Sequence, residues 1–318
     1  MADSIPTAPA AGCSSQSSCS KAGNDGSGCS GCASSRGAND PMSMQDAQIA
    51  QAVGHMGHVL FVMSGKGGVG KSSVAVNLAI ALAERGKRVG ILDVDIHGPS
   101  VPNLLGLGSG LDMDEDGETL LPALYRDNVK VLSMDSLLHD KDTAIIWRGP
   151  KKTAAIRQFL SDVKWGDLDF LVIDSPPGTG DEHLTIMKTL PEALSIMVTT
   201  PQEISLADVR KAMNFLQHAH GTVLGVVENM SGLACPHCGG DIPLFKKGGG
   251  EILAQHYGVP FLGAIPLDPA TVVAADKGVP VVLLEGEHAA KKQFFALAET
   301  VIEACAKERF VRMHLPKE

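Results

Sequence analysis

The chain has 318 residues, 44% hydrophobic and 20% charged, enough apolar material for a full globular core. Its formal net charge of −9 argues against general affinity for nucleic acid or acidic lipid, because phosphate binding needs a basic footprint. No apolar run approaches the roughly 18–20 residues that span a bilayer, and the N-terminus lacks the basic-then-apolar order of a secretory signal, so a cytoplasmic protein with no membrane or nucleic-acid partner is expected.

Residues 1–45 are Gly, Ser, Ala and Cys with few large apolar side chains. Such a segment cannot bury enough surface to offset its ordering entropy, so a disordered tail is expected there. The folded domain is expected over 50–312. Within it, short apolar runs read as strands: His58–Ser64, Arg88–Asp95, Val129–Met134, Leu168–Pro176, Leu194–Pro201, Val223–Met230 and Phe261–Leu267. Being apolar throughout, they suit strands buried on both faces of a parallel sheet. Helical periods lie between them, among them Ser72–Arg85 and Ser205–His218. Strand and helix in alternation predict an α/β, doubly wound, mostly parallel sheet. Asp112–Leu121 breaks the rhythm and reads as an excursion or hairpin.

The first strand runs directly into Gly65-Lys66-Gly67-Gly68-Val69-Gly70-Lys71-Ser72-Ser73, and a helical run follows. Strand, glycine loop and helix form the context of a phosphate-binding P-loop. Successive backbone N–H groups then point inward as an anion nest, at the positive end of the helix dipole. ATP and Mg²⁺ are the expected ligands, with Lys71 on the β- and γ-phosphates and the Ser72 hydroxyl on the metal. Asp93 and Asp95 end the second strand, at the carboxyl edge that faces the ligand crevice. One is expected to orient the attacking water and the other to assist the metal or cap a helix; Asp93 is favoured for the water, but the spacing does not separate them. Phe170–Asp174 reads as a Walker B strand, so Asp174 is expected to hold the metal through water. Ser175–Asp181 follows as a glycine-rich switch loop able to sense the γ-phosphate.

Seven cysteines are grouped rather than scattered: Cys13, Cys19, Cys29, Cys32, Cys235, Cys238 and Cys305. In a reducing compartment that grouping points to metal or redox chemistry. Cys235-Pro-His-Cys238 lets two thiolates meet one metal centre. A closed site needs four ligands, so two subunits each donating a pair is the symmetric solution; half a zinc knuckle completed from the tail, a redox disulfide, or two unliganded thiols are the alternatives. Cys13, Cys19, Cys29 and Cys32 can wrap a second cluster or a zinc ion, or stay idle, and spacing does not decide. Cys305 shares an apolar helical face with Phe294, Leu297, Val301 and Ile302 and reads as core.

The loop Lys66-Gly-Gly-Val-Gly-Lys-Ser72 resembles the deviant Walker A loop of the MinD/ParA/nitrogenase-reductase class. The resemblance implies that Lys66 crosses a dimer interface to the partner's phosphates. The ordered series of Gly65–Ser73, Asp93-Val-Asp-Ile-His-Gly-Pro-Ser100, Trp147-Arg-Gly-Pro150, Asp174-Ser-Pro-Pro-Gly-Thr-Gly-Asp181, Glu228-Asn-Met-Ser231 and Cys235-Pro-His-Cys238 is similar to the Mrp/ApbC family of iron–sulphur cluster carrier ATPases over about 250 residues. That likeness implies a MinD-like fold and a homodimer that holds a [4Fe–4S] cluster between two Cys235/Cys238 pairs. It also implies transfer of the cluster to apo iron–sulphur client proteins with ATP hydrolysis, and an adenine contact from Asn229. Eukaryote-type members carry an N-terminal four-cysteine cluster; the spacing Cys-x₅-Cys-x₉-Cys-x₂-Cys here departs from theirs. Two rival functions remain at this stage, a MinD/ParA-type positioning ATPase and a nitrogenase-reductase-like electron donor, and a zinc-stabilised ATPase is a third.

Overall fold

In the computed structural model the described residues are 41–95, 98–108, 110, 112–115, 117, 119–126, 128–137, 149–234, 238 and 240–314. Helix α1 spans Pro41–Gly54 and leads into β1, Met56–Ser64. There follow α2 (Lys71–Glu84), β2 (Val89–Asp93), the short α3 (Val101–Leu104), β3 (Asp112–Met113), β4 (Leu120–Leu121), β5 (Ala123–Tyr125) and β6 (Val129–Ser133). The second half runs α4 (Gly149–Ser161), β7 (Leu168–Asp174), α5 (Asp181–Thr189), β8 (Leu194–Thr199), α6 (Glu203–His218) and β9 (Thr222–Glu228). It closes with β10 (Leu233–Ala234), β11 (Asp241–Ile242), α7 (Gly249–Tyr257), β12 (Phe261–Ala264), α8 (Pro269–Asp276), α9 (Ala289–Ala306) and β13 (Val311–Arg312).

The main sheet has the order β12-β9-β8-β1-β7-β2-β6-β5, with β13 beside β9. All neighbours from β12 to β6 are parallel; only β5 and β13, paired with β6 and β9, run antiparallel. Every strand expected from the sequence is present, and the Asp112–Leu121 excursion is an antiparallel pair. The two antiparallel edge strands were not anticipated, because two or three residues carry no readable period.

Alternation along β1 explains the layers. Leu60 and Val62 join the core formed with α2 and α9, while Phe61 and Met63 join the core formed with α4, α5 and α6. All four are fully buried, as strands covered on both faces require. Helix α2 is buried along nearly its whole length, which is why its sequence, Val74-Ala-Val-Asn-Leu-Ala-Ile-Ala-Leu-Ala83, is apolar all round.

The N-terminal boundary differs from the one expected near Ala50. Helix α1 begins at Pro41, so residues 41–45 are helical rather than part of the tail. Its hold includes the buried Ile49 and the half-buried Val53, with Arg157 of α4 donating to Gln45 at 3.0 Å and to Asp46 at 2.5 Å. A composition count over the segment dilutes a few apolar anchors and long-range polar contacts. The expected tail and its Cys13, Cys19, Cys29 and Cys32 lie outside the described residues.

Candidate functional site: a P-loop beside a cysteine hairpin

The chain leaves β1 for β2, then returns to insert β7 between them before placing β8 on the far side of β1. Strand order therefore reverses around β1, and the crevice at the carboxyl ends of β1, β7 and β2 is the natural ligand position of an open α/β sheet. Register brings the chemistry to that edge: Asp174 pairs with Val62 on one side and with Asp93 on the other.

Gly65–Ser73 joins β1 to α2 in this crevice. Gly68 and Gly70 have φ of 79° and 78°, the left-handed region that a side chain resists, and Gly70 is the residue that starts α2. A methyl at Gly70 would lie 2.3 Å from Asn229 Nδ2, and one at Gly65 would lie 2.3 Å from the backbone of Asp208. The loop is thus pressed against both β9's end and α6. Asn229 Nδ2 donates to the Val69 carbonyl at 2.9 Å, and Ser64 Oγ donates to the Lys66 carbonyl at 3.0 Å.

Lys71 is folded inward. Its Nζ donates to Asp174 Oδ1 at 2.6 Å and to Ser72 Oγ at 3.1 Å. The pair is buried, with side-chain exposures of 7% and 0%. Burial pushes the Asp174 carboxyl above its usual range, and the Lys71 ammonium opposes that shift. Asp174 Oδ2 is buried and meets no hydrogen-bond partner among the described residues. An orphaned carboxylate oxygen next to a serine hydroxyl and a glycine nest fits a hydrated divalent cation bound with a triphosphate.

The two acids after β2 have different surroundings. Asp93 is fully buried; its Oδ1 accepts from Asp95 N at 3.0 Å, and its Oδ2 from Val101 N at 3.3 Å and Ser133 Oγ at 3.2 Å. Burial, and then the neighbouring Asp174 carboxylate, pushes its pKa up to about 8. Both Asp93 oxygens are engaged in holding the loop between β2 and α3. Asp95 accepts from Gly98 N at 3.2 Å and stands at the crevice rim, 8% exposed.

The switch loop after β7 is tied at both ends. Ser175 Oγ donates to the Val62 carbonyl at 2.8 Å, and Gly178 N to the Ser64 carbonyl at 3.0 Å. At the start of α5, Glu182 accepts from Lys152 of α4 at 2.6 Å, and Thr153 and Thr185 share a 3.0 Å bond. Burial opposes the Glu182 charge, yet the Lys152 ammonium holds its carboxyl below the usual range. His183 is fully buried between the Phe61 and Phe215 rings, and its Nδ1 accepts from Gly180 N at 3.1 Å. Burial pushes its pKa down to about 4, so it is neutral. The sequence reading passed over Lys152, Glu182 and His183; Glu182 and His183 directly follow a motif that it did single out, which was the available signal.

Cys238 lies in the chain between the two short strands β10 and β11. β10 and β11 pair antiparallel, Leu233 with Ile242 and Ala234 with Asp241. Cys238 is exposed and unbridged. Cys235 and His237 lie outside the described residues, as do Ile96, His97, Trp147 and Arg148 of the other motifs. Cys305 is 4% exposed inside α9, in the core as expected, and burial pushes its thiol up to about 11. No helix among the described residues is long and apolar enough to cross a membrane.

Comparison with known proteins agrees with this geometry. Residues 55–302 match the family described as ParA, NUBPL iron-transfer P-loop NTPase. An iron-sulfur cluster carrier protein of Methanocaldococcus jannaschii is 48% identical over 245 residues, 77% of this chain and 83% of that protein. A carrier of the same name from Pyrococcus horikoshii is 50% identical over 250 residues, 76% and 84% of the two chains. The cytosolic Fe-S cluster assembly factor NUBP2 of Homo sapiens is 48% identical over 223 residues, 69% and 82%. Among solved structures, a nucleotide-binding protein from Archaeoglobus fulgidus in complex with ADP superposes with a TM-score of 0.65 at 38% identity, covering 77% of this chain and 98% of that one. The cell division ATPase MinD of Pyrococcus furiosus gives 0.57 at 27%, covering 78% and 99%. With the sheet order, the P-loop and the match over most of its length in agreement, the chain belongs to the ParA family of NUBPL iron-transfer P-loop NTPases.

Proposed function

We propose that this protein is an ATP-binding and ATP-hydrolysing carrier that holds a [4Fe–4S] cluster as cargo between the Cys235/Cys238 pairs of a homodimer and passes it to apo iron–sulphur proteins. The observation that carries the reading is the pairing of two features in one chain. A buried Lys71–Asp174 ion pair lies beneath a glycine nest, and a thiol-bearing hairpin follows β9, whose end contacts that same nest. Relatives at 48–50% identity named as iron-sulfur cluster carriers support the cargo. A cytoplasmic location is consistent with the relatives named cytosolic assembly factors.

In this reading Gly65–Ser73 cradles the phosphates with its backbone N–H groups. Lys71 swings from Asp174 to the β- and γ-phosphates, which leaves Asp174 free to hold water of the cation. Ser72 and Asp174 would hold Mg²⁺, which neutralises charge on the phosphates. Asp93 or Asp95 takes the water-orienting role; both Asp93 oxygens accept from the chain's own donors, and Asp95 Oδ1 accepts from Gly98 N. Lys66 meets no side-chain acceptor among the described residues, consistent with service to the partner subunit's nucleotide. Transition-state charge supplied across a subunit seam is worth several orders of magnitude in related NTP chemistry.

Anaerobic reconstitution of the wild type and Cys235→Ala tests the reading. The wild type should gain broad absorption near roughly 400 nm and about four irons per dimer at the hairpin site, with both lost in the variant. The four tail cysteines must be replaced by serine in both proteins, so that only the hairpin is read. Equal iron and colour would reject the cysteine pair as ligands, and zinc in place of iron would favour a structural metal.

A further inference from the structure

Glu228, the last residue of β9, is 1% exposed, and no basic side chain is recorded against it among the described residues. Its carboxylate accepts three hydrogen bonds. Ser231 Oγ donates to Oε1 at 2.6 Å, Gly248 N to Oε1 at 3.0 Å, and Gly250 N to Oε2 at 2.6 Å. Ser231 enters the segment that carries the thiol hairpin, and Gly248 and Gly250 leave it at the start of α7. One carboxylate therefore clamps both ends of that segment. The glycine run at the exit is built for the contact: Gly248 has φ of 82°, and a methyl at Gly250 would sit 3.0 Å from Glu228 Cβ. A methyl at Gly249 would sit 2.8 Å from Leu206 and 2.9 Å from the Pro201 carbonyl.

The next residue faces the other site. Asn229 donates to the Val69 carbonyl inside the P-loop, and its own backbone N donates to the Thr199 carbonyl at 2.7 Å. Between the two side chains lies one peptide unit at the end of a fully buried strand, which cannot rotate without breaking the sheet.

Resting on the carrier reading above, we infer that Glu228 is the positioning residue for the thiol hairpin and that the Glu228–Asn229 pair transmits nucleotide state from the P-loop to that hairpin. ATP binding reshapes the loop around Val69, Asn229 follows its carbonyl, and the Glu228 carboxylate tightens or slackens its hold on Ser231 and Gly248–Gly250. A two-state element contacted by both sites is the physical requirement for such coupling.

Hydrogen exchange resolved by peptide, on the full chain without cluster, tests the link. In the wild type, ATP·Mg²⁺ should change exchange both in 65–73 and in 231–250. Glu228→Gln sets an amide NH₂ against one of the backbone N–H donors, so at least one bond is lost. Exchange at Gly248 and Gly250 should then rise about tenfold, since local opening sets the rate. The ATP response of 231–250 should vanish while that of 65–73 persists. A merely structural role would not separate those two responses. An ATP response in 231–250 equal to that of the wild type overturns the proposal, as does its absence from the wild type. If Glu228→Gln does not fold, Ser231→Ala removes only the hydroxyl donor and should reduce the response; an unchanged response there also overturns it. Iron binding measured on the same preparations distinguishes the two readings: coupling without iron sinks the carrier function alone, and iron without coupling sinks the link alone.

Discussion

Removing the Lys71 ammonium tests the electrostatics of the site most directly. In Lys71→Met the alkyl stem still fills its space, but Asp174 keeps no counter-charge within a site where it is 0% exposed. Breaking one side of a buried pair costs about 3–5 kcal/mol, because the remaining charge is stranded. Here Asp174 already has one unpartnered oxygen, and Asp93 lies beside it in register, so the stranded charge finds no ready substitute. Burial already raises the Asp174 pKa against the opposition of Lys71; without Lys71 it rises further. A carboxyl whose folded pKa is raised contributes stability below its unfolded pKa near 3.8, and that contribution is lost as pH rises through the folded value. The deficit of Lys71→Met relative to the wild type should therefore be small in acid and grow toward alkaline pH. Urea unfolding of nucleotide-free protein across that range measures it. Lys71→Met/Asp174→Asn should recover most of the loss while ATP turnover stays absent in both variants. Equal stability of Lys71→Met and wild type at alkaline pH, or a double variant no better than the single, would refute the reasoning.

Three further outcomes follow from the same geometry. Gly70→Ala strains a left-handed position and drives a methyl to 2.3 Å from Asn229 Nδ2; calorimetry should find ATP binding weakened at least tenfold, in a protein whose far-ultraviolet dichroism is unchanged. His183, neutral in the fold with a pKa of about 4 against 6.5 when free, gives stability that is full above pH 6.5 and is lost as pH falls toward 4. His183→Gln should remove that acid-limb dependence, which amounts to about 3 kcal/mol at 1.36 kcal/mol for each pH unit. Finally, alkylation followed by mass spectrometry should modify Cys238 in the native protein and Cys305 only after unfolding, because a buried thiol raised to about 11 carries almost no thiolate at neutral pH.

The sequence was sufficient for whatever rests on local pattern. Seven strands were legible because each is apolar throughout, and the P-loop was legible because its glycines, lysine and serine must be adjacent to act. The Asp112–Leu121 excursion announced itself by interrupting the alternation. Contacts set by strand order were not legible: nothing local places Asp93 beside Asp174, 81 positions onward, until β7 inserts between β1 and β2. The same holds for α1, whose anchor and polar partners come from α4, and for the antiparallel edges β5 and β13. Local sequence fixes backbone preference and the presence of reactive groups. Only the closed sheet decides which charges are buried together, which donors meet each of two neighbouring aspartates, and that Glu228 reaches both ends of the cysteine segment, because those depend on distances between residues the chain itself keeps far apart.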